Sequence, residues 1–115
     1  MMRLGMTVFA VMLVAAAGTA YAAKGTRFWN LTHAEIDSLQ LAPAGSTDFG
    51  ENLCLQDDDK SVEADERLQV TGVASGTYDA KIHDVTGRSC SAKNVKVEEG
   101  KVFSISEKEL IDCKQ

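Results

Sequence analysis

The sequence predicts an all-β domain, a small antiparallel β-sandwich or open barrel of about six strands with a C-terminal helical turn. Three observations predict it. From Glu66 to Ser106 apolar residues alternate with polar ones, at Leu68 and Val70, at Tyr78, Ala80 and Ile82, at Val95 and Val97, and at Phe103 and Ile105. That is the period of a strand buried on one face. The connections VASG, VTG and EEG each end in glycine, which adopts the positive φ of a tight turn at no steric cost. No extended amphipathic helical pattern competes with this reading.

Met1 to Ala22 stand apart from the domain. Arg3 makes a short basic start, Met6 to Ala17 an apolar run, and Ala20 and Ala22 a small-residue site, the layout of a cleaved secretory signal peptide. The apolar run falls short of the roughly 20 residues that cross a bilayer. Cleavage after Ala22 leaves one domain, residues 23–115, periplasmic or secreted and with no membrane insertion. No cysteine near the cleavage site offers a lipid attachment point. Loss of Arg3 makes the mature chain one unit more negative than the net −5 of the full sequence. An acidic balance argues against a nucleic-acid partner and against docking on anionic lipid.

TRFWNLTH and EIDSLQLA supply the first two strands, with Trp29 and Leu31 expected on the buried face of one and Leu39 and Leu41 on that of the other. Ile36 is out of step with Leu39, which predicts a bulge near Asp37. The stretch from Ala42 to Asp65 contains the single proline, Pro43, and no predicted strand; a connection this long inside a small domain is a crossing or functional loop. ERLQVTG, TYDAKIHD, RSCSAKNVKV and KVFSIS then read as an antiparallel meander. The parity break between Cys90 and Val95 predicts a second bulge or a strand seen from both faces. Ser106 with Glu109 three residues on has the pattern of a capping box, so EKELIDC is read as one helical turn.

Five short stretches carry a family likeness: the Asn30-Leu31-Thr32 turn, PAGS-x-x-FG from Pro43 to Gly50, Tyr78-Asp79, Gly87-Arg88, and Leu110 to Cys113. Together they resemble a group of small exported bacterial β-rich proteins of unknown function. The resemblance implies an exported β-sandwich-like fold and supplies no catalytic residues.

Cys54, Cys90 and Cys113 are the only cysteines, in a compartment where disulfides persist. One bridge and one thiol are expected. With EEG as the final hairpin turn, Cys90 lies opposite Glu109 or Leu110, and a turn at ELID brings Cys113 back within the roughly 6 Å Cα separation a bridge needs. A Cys90–Cys113 bridge follows, with Cys54–Cys113 as the rival. Cys54, between Leu53 and Leu55, reads as a buried inert thiol.

The acidic stretch Asp57 to Glu66 holds six carboxylates and one lysine. Asp57, Asp59 and Ser61 recur at every second residue, as oxygen ligands do in a calcium loop. The sixth position is Val62 rather than glycine and the twelfth is Leu68 rather than glutamate, so the full motif is absent. A different calcium cage from Asp57, Asp59, Ser61, Asp65 and Glu66 remains open, against a solvated acidic loop. His33 and His83 lack a third imidazole or paired thiols at zinc spacing, and no motif places a serine nucleophile beside His83. Asn30-Leu31-Thr32 matches a glycosylation sequon but reads as a structural asparagine turn. The sequence therefore leads to a non-enzymatic binding or interaction module for an unknown protein or envelope component, without a cofactor. The alternative is a calcium-binding module built on the acidic loop.

Overall fold

Seven strands build the domain, and six of them are the strands that the sequence predicts. The structure, a computed structural model, describes residues 25–115, so the expected signal peptide lies outside the described residues. The strands are β1 (Arg27–Leu31), β2 (Ile36–Pro43), β3 (Arg67–Gln69), β4 (Gly76–Asp84), β5 (Ser89–Val97), β6 (Val102–Ser106) and β7 (Ile111–Lys114). They form two sheets, β3-β1-β6 and β2-β4-β5-β7. No described helix is long and apolar enough to cross a membrane.

The core is built from the inward rows of both sheets. Phe28, Leu68, Phe103 and Ile105 come from the three-stranded sheet, and Leu39, Ala80, Ile82, Ala92, Val95 and Val97 from the other. Phe28 and Phe103 pack with ring centroids 5.4 Å apart. Each large apolar side chain taken fully out of water, such as Phe28 or Leu39 at 0% exposure, contributes about 1.5–3 kcal/mol.

The bulge predicted near Asp37 is present, and the parity break before Val95 is a bulge as well. Pairing of β2 with β4 shifts register between Ile36 and Ser38. Pairing of β4 with β5 shifts between Tyr78 and Ala80, so that Asp79 faces the extra residue supplied by β5, where Asn94 has φ 54°. The Asp79 carboxylate accepts from the Asn94 and Gly45 amides, which ties the bulge to the turn after β2.

Three expectations are corrected. The first concerns β1, which buries Phe28 and Asn30 and turns Trp29 and Leu31 outward. Asn30 decides this. Its amide donates to the carbonyls of Ala34 and Val62, and its carbonyl accepts from the Thr32 amide and hydroxyl. A side chain with four satisfied bonds sits in the interior without an unpaired polar group, and the strand period of two then sends Trp29 out. There the indole N–H donates to Asp65 and the Arg67 guanidinium lies 4.1 Å from the ring centroid. The bonded, fully buried Asn30 also settles the sequon as a structural turn.

The second correction concerns the meander. Only β4 and β5 form the expected hairpin. β3 pairs antiparallel with β1, and β6 pairs parallel with β1, so the segments after β3 and β5 arch from one sheet to the other. A glycine turn reverses the chain but does not choose which sheet edge receives the next strand.

The third concerns the C-terminus. The capping box at Ser106 and Glu109 and one 3-10 turn, Glu107–Glu109, are present, but the following residues form β7, paired antiparallel with β5. This seventh strand, rather than a β5–β6 hairpin, is what brings Cys113 to Cys90.

Candidate functional site

The outward face of the four-stranded sheet is organised by register into two continuous rows. Ser38 faces His83, His83 faces Ser89 and Ser89 faces Lys114; two residues along, Gln40 faces Lys81, Lys81 faces Ser91 and Ser91 faces Ile111. Directly opposed residues of antiparallel strands project to the same side. These rows line a broad shallow groove of about 580 Å³, with Ile82 and Cys90 running between them and Asp112 and Cys113 at one side. At about 4.8 Å between strands, four strands make the groove roughly 14 Å wide.

Its polar groups are largely uncommitted within the protein. The hydroxyls of Ser38, Ser89 and Ser91 make no hydrogen bond among the described residues, and Lys81 and Lys114 make no ion pair there, whereas Arg88, Lys93 and Lys101 do. The Lys81 ammonium stands 4.5 Å from the centroid of Phe49, a contact that holds it over the sheet. His83 is oriented by a 2.7 Å hydrogen bond between its Nδ1 and Asp37 Oδ1, which leaves Nε2 for other partners. The bulge at Ile36–Ser38 makes this contact by bringing Asp37 beside His83. Sequence reasoning missed this site. Its residues are simply the polar members of the alternation, and only the cross-strand register shows that they align.

The acidic loop brings its five candidate ligands to one side of the molecule. Asp57, Asp59, Ser61, Asp65 and Glu66 do line one shallow depression, of about 380 Å³, together with Arg67. Four of the five already make hydrogen bonds within the protein, Asp59 being the exception. Asp57 accepts from the Asp59 amide, Ser61 donates to Glu35, Asp65 accepts from Trp29, and Glu66 accepts from the Glu63 amide. Among the described residues no group of three or more His, Cys, Asp or Glu side chains is arranged to hold a metal ion. The loop instead covers the free edge of β2: Asn52 bonds the Leu39 amide and the Asp37 carbonyl, and Val62 and Ile36 exchange backbone bonds. Covering an edge blocks strand-to-strand aggregation.

Cys90 and Cys113 form a disulfide. Cys54 is a free thiol at 0% exposure, its Sγ donating to the Ile36 carbonyl. Burial pushes the Cys54 thiol up to about 12, with Asp37 and Asp57 adding to the effect, so it is not a nucleophile at neutral pH.

A second polar cluster fastens the end of the sandwich. The Asp84 carboxylate accepts from the Thr86 amide and hydroxyl and from the Arg88 amide and Nε, while Arg88 also donates to Glu107. Burial pushes the Asp84 carboxyl up, but the Thr86 and Arg88 bonds outweigh it and hold it below the usual carboxylate range. Arg88, and then the His33 amide, hold Glu107 low as well. The cluster joins the β4–β5 hairpin to the connection before β7, and so positions the strand that completes the groove.

No family model matches the chain, and neither a characterised protein nor a solved structure is significantly similar to it.

Proposed function

We propose that this chain is an exported, non-enzymatic binding module that meets its ligand across the outward face of the β2-β4-β5-β7 sheet. The observation that carries the reading is the register of the two polar rows, which aligns unbonded hydroxyls and unpaired lysines over one groove. Polar side chains left without protein partners on a sheet face are free to bond a ligand at little reorganisation cost. Export is supported by the signal-peptide pattern and by the disulfide, which persists in an oxidising compartment. The partner is an envelope component or an exported protein. Titration of the isotope-labelled mature chain with solubilised native envelope fractions tests this by NMR. Resonances of Ser38, Lys81, His83, Ser89 and Ser91 are expected to move while those of Trp29, Arg67 and Ser104 on the opposite sheet stay; the reverse pattern would move the binding surface to the other face.

A second reading, calcium held by the acidic loop, draws support from the depression shared by Asp57, Asp59, Ser61, Asp65 and Glu66. The hydrogen bonds those oxygens already make weigh against it. Sensitivity of the melting temperature to calcium decides between the two.

A further inference from the structure

We infer that the ligand of the groove is an anionic saccharide, an inference that rests on the reading of that sheet face as the binding surface. Two observations carry it, one for the hydroxylated ligand and one for its charge.

The groove is lined with short hydrogen-bonding groups at close, regular intervals. Ser38, His83 and Ser89 stand side by side on three adjacent strands, and Gln40, Lys81 and Ser91 repeat the arrangement two residues along. The serine hydroxyl both donates and accepts. The His83 ring, with Nδ1 held by Asp37, presents Nε2. A ligand that answers this surface must offer many donors and acceptors over the same span, and a chain of sugar hydroxyls does so. The floor is open and shallow, with none of the deep apolar lining that anchors a lipid chain or a hydrophobic side chain.

The charge runs against that of the molecule. The chain carries net −5, yet the groove lining includes Lys81 and Lys114 against one carboxylate, Asp112, while the neighbouring Asp37 carboxylate is committed to its hydrogen bond with His83. Neither lysine is neutralised by an ion pair among the described residues, and they sit on different rows of the face, Lys81 on β4 and Lys114 on β7. The acidic stretch lies outside the groove lining, in its own depression. Complementarity therefore asks for negative charge distributed along the ligand, as carboxylate or phosphate groups on successive sugars are, and discriminates against neutral saccharides more through this charge than through hydroxyl contacts.

The test is an NMR and calorimetric titration of the oxidised mature chain with four probes: an oligogalacturonate, a phosphorylated oligomannose, a neutral malto-oligosaccharide and an oligoglutamate. Binding of one or both anionic saccharides, with shifts confined to the two rows, is the expected result, and the pair of probes reports whether carboxylate or phosphate is preferred. Affinity should fall about tenfold in a Lys81→Gln, Lys114→Gln double variant and fall again as salt is added. Both lysines are at the surface, and an unchanged melting temperature verifies that the variant folds. Equal binding of the malto-oligosaccharide would overturn the charge requirement, and equal binding of oligoglutamate would overturn the saccharide. If no saccharide binds while envelope fractions still perturb the two rows, the ligand class is wrong and the binding face stands; if neither perturbs the rows, both readings fall.

Discussion

Arg88 Nε donates to Asp84 Oδ2 at 3.0 Å from within the turn of the β4–β5 hairpin, and the same guanidinium reaches Glu107 at 2.7 Å. One arginine thus holds two carboxylates from separate parts of the chain. Asp84 is almost fully buried, at 4% side-chain exposure, so removing Arg88 leaves its charge uncompensated. Arg88→Met is expected to cost about 3 kcal/mol in urea unfolding. Asp84→Asn should cost clearly less in the Arg88→Met background than in wild type; equal costs in the two backgrounds would show the pair to be uncoupled.

The same carboxylates set a direction for acid stability. Asp84 and Glu107 are held below their ordinary values of 3.8 and 4.5, as is Asp79 through the Gly45 and Asn94 amides. A carboxyl depressed in the folded state contributes stability that is complete above its unfolded value and is lost as pH falls through its folded value. Urea midpoints should therefore be insensitive to these groups above about pH 5 and fall below about pH 4. Asp84→Asn is expected to flatten part of that slope. An unaltered acid limb would remove Asp84 from the account.

The cysteines give a chemical prediction. Cys90 and Cys113 are 23 residues apart in sequence, and a loop of this size stabilises by about 3 kcal/mol when closed. Cys113→Ser should lower the melting temperature by on the order of 10 °C or more, and non-reducing peptide maps should join only those two cysteines. Cys54 should resist iodoacetamide at pH 8 in the native protein and react once guanidinium unfolds it. Ready native alkylation would contradict its burial.

Asn30 carries a prediction of its own. Its side chain bonds the carbonyls of Ala34 and Val62 as well as Thr32, and truncation leaves the buried Thr32 amide without a partner and strips each carbonyl of one of its two bonds, the Ile36 amide and the Thr32 hydroxyl keeping the others. Asn30→Ala is expected to destabilise by about 2–4 kcal/mol, measured by urea unfolding. Asn30→Asp should also be costly, because a carboxylate cannot donate to two carbonyls. A neutral effect of both would show that the slot rehydrates.

For the acidic loop, millimolar calcium is expected to raise the melting temperature no more than magnesium does at equal ionic strength. Clustered carboxylates repel, so screening alone gives a small rise. An Asp57→Asn, Asp59→Asn variant should melt slightly above wild type in chelator. A calcium-specific rise of several degrees that this variant abolishes would restore the calcium reading.

Much of this molecule was legible in the sequence by itself. Six of the seven strands, the bulges at Asp37 and before Val95, the capping box at Ser106 and Glu109, and the inward positions Leu39, Ile82, Val97 and Ile105 all follow from local period and turn chemistry. These are properties of neighbouring residues and need no knowledge of the rest of the chain. The Cys90–Cys113 pairing was also anticipated, although the register invoked for it belongs to β7 and not to a β5–β6 hairpin.

Only the tertiary structure decided the rest. Trp29 and Phe28 have nearly equal claims to the core, and the contest was settled by Asn30, whose hydrogen-bond partners lie as far away as Val62. Whether β3 and β6 join β1 or their sequence neighbours depends on which sheet edge buries more surface, and the glycine turns carry no information about that. The candidate site is the extreme case. Ser38, His83 and Ser89 are ordinary polar positions on three strands, and they become a row only when cross-strand register brings residues far apart in the chain side by side, as hydrogen-bonded pairing of the folded sheet alone can do.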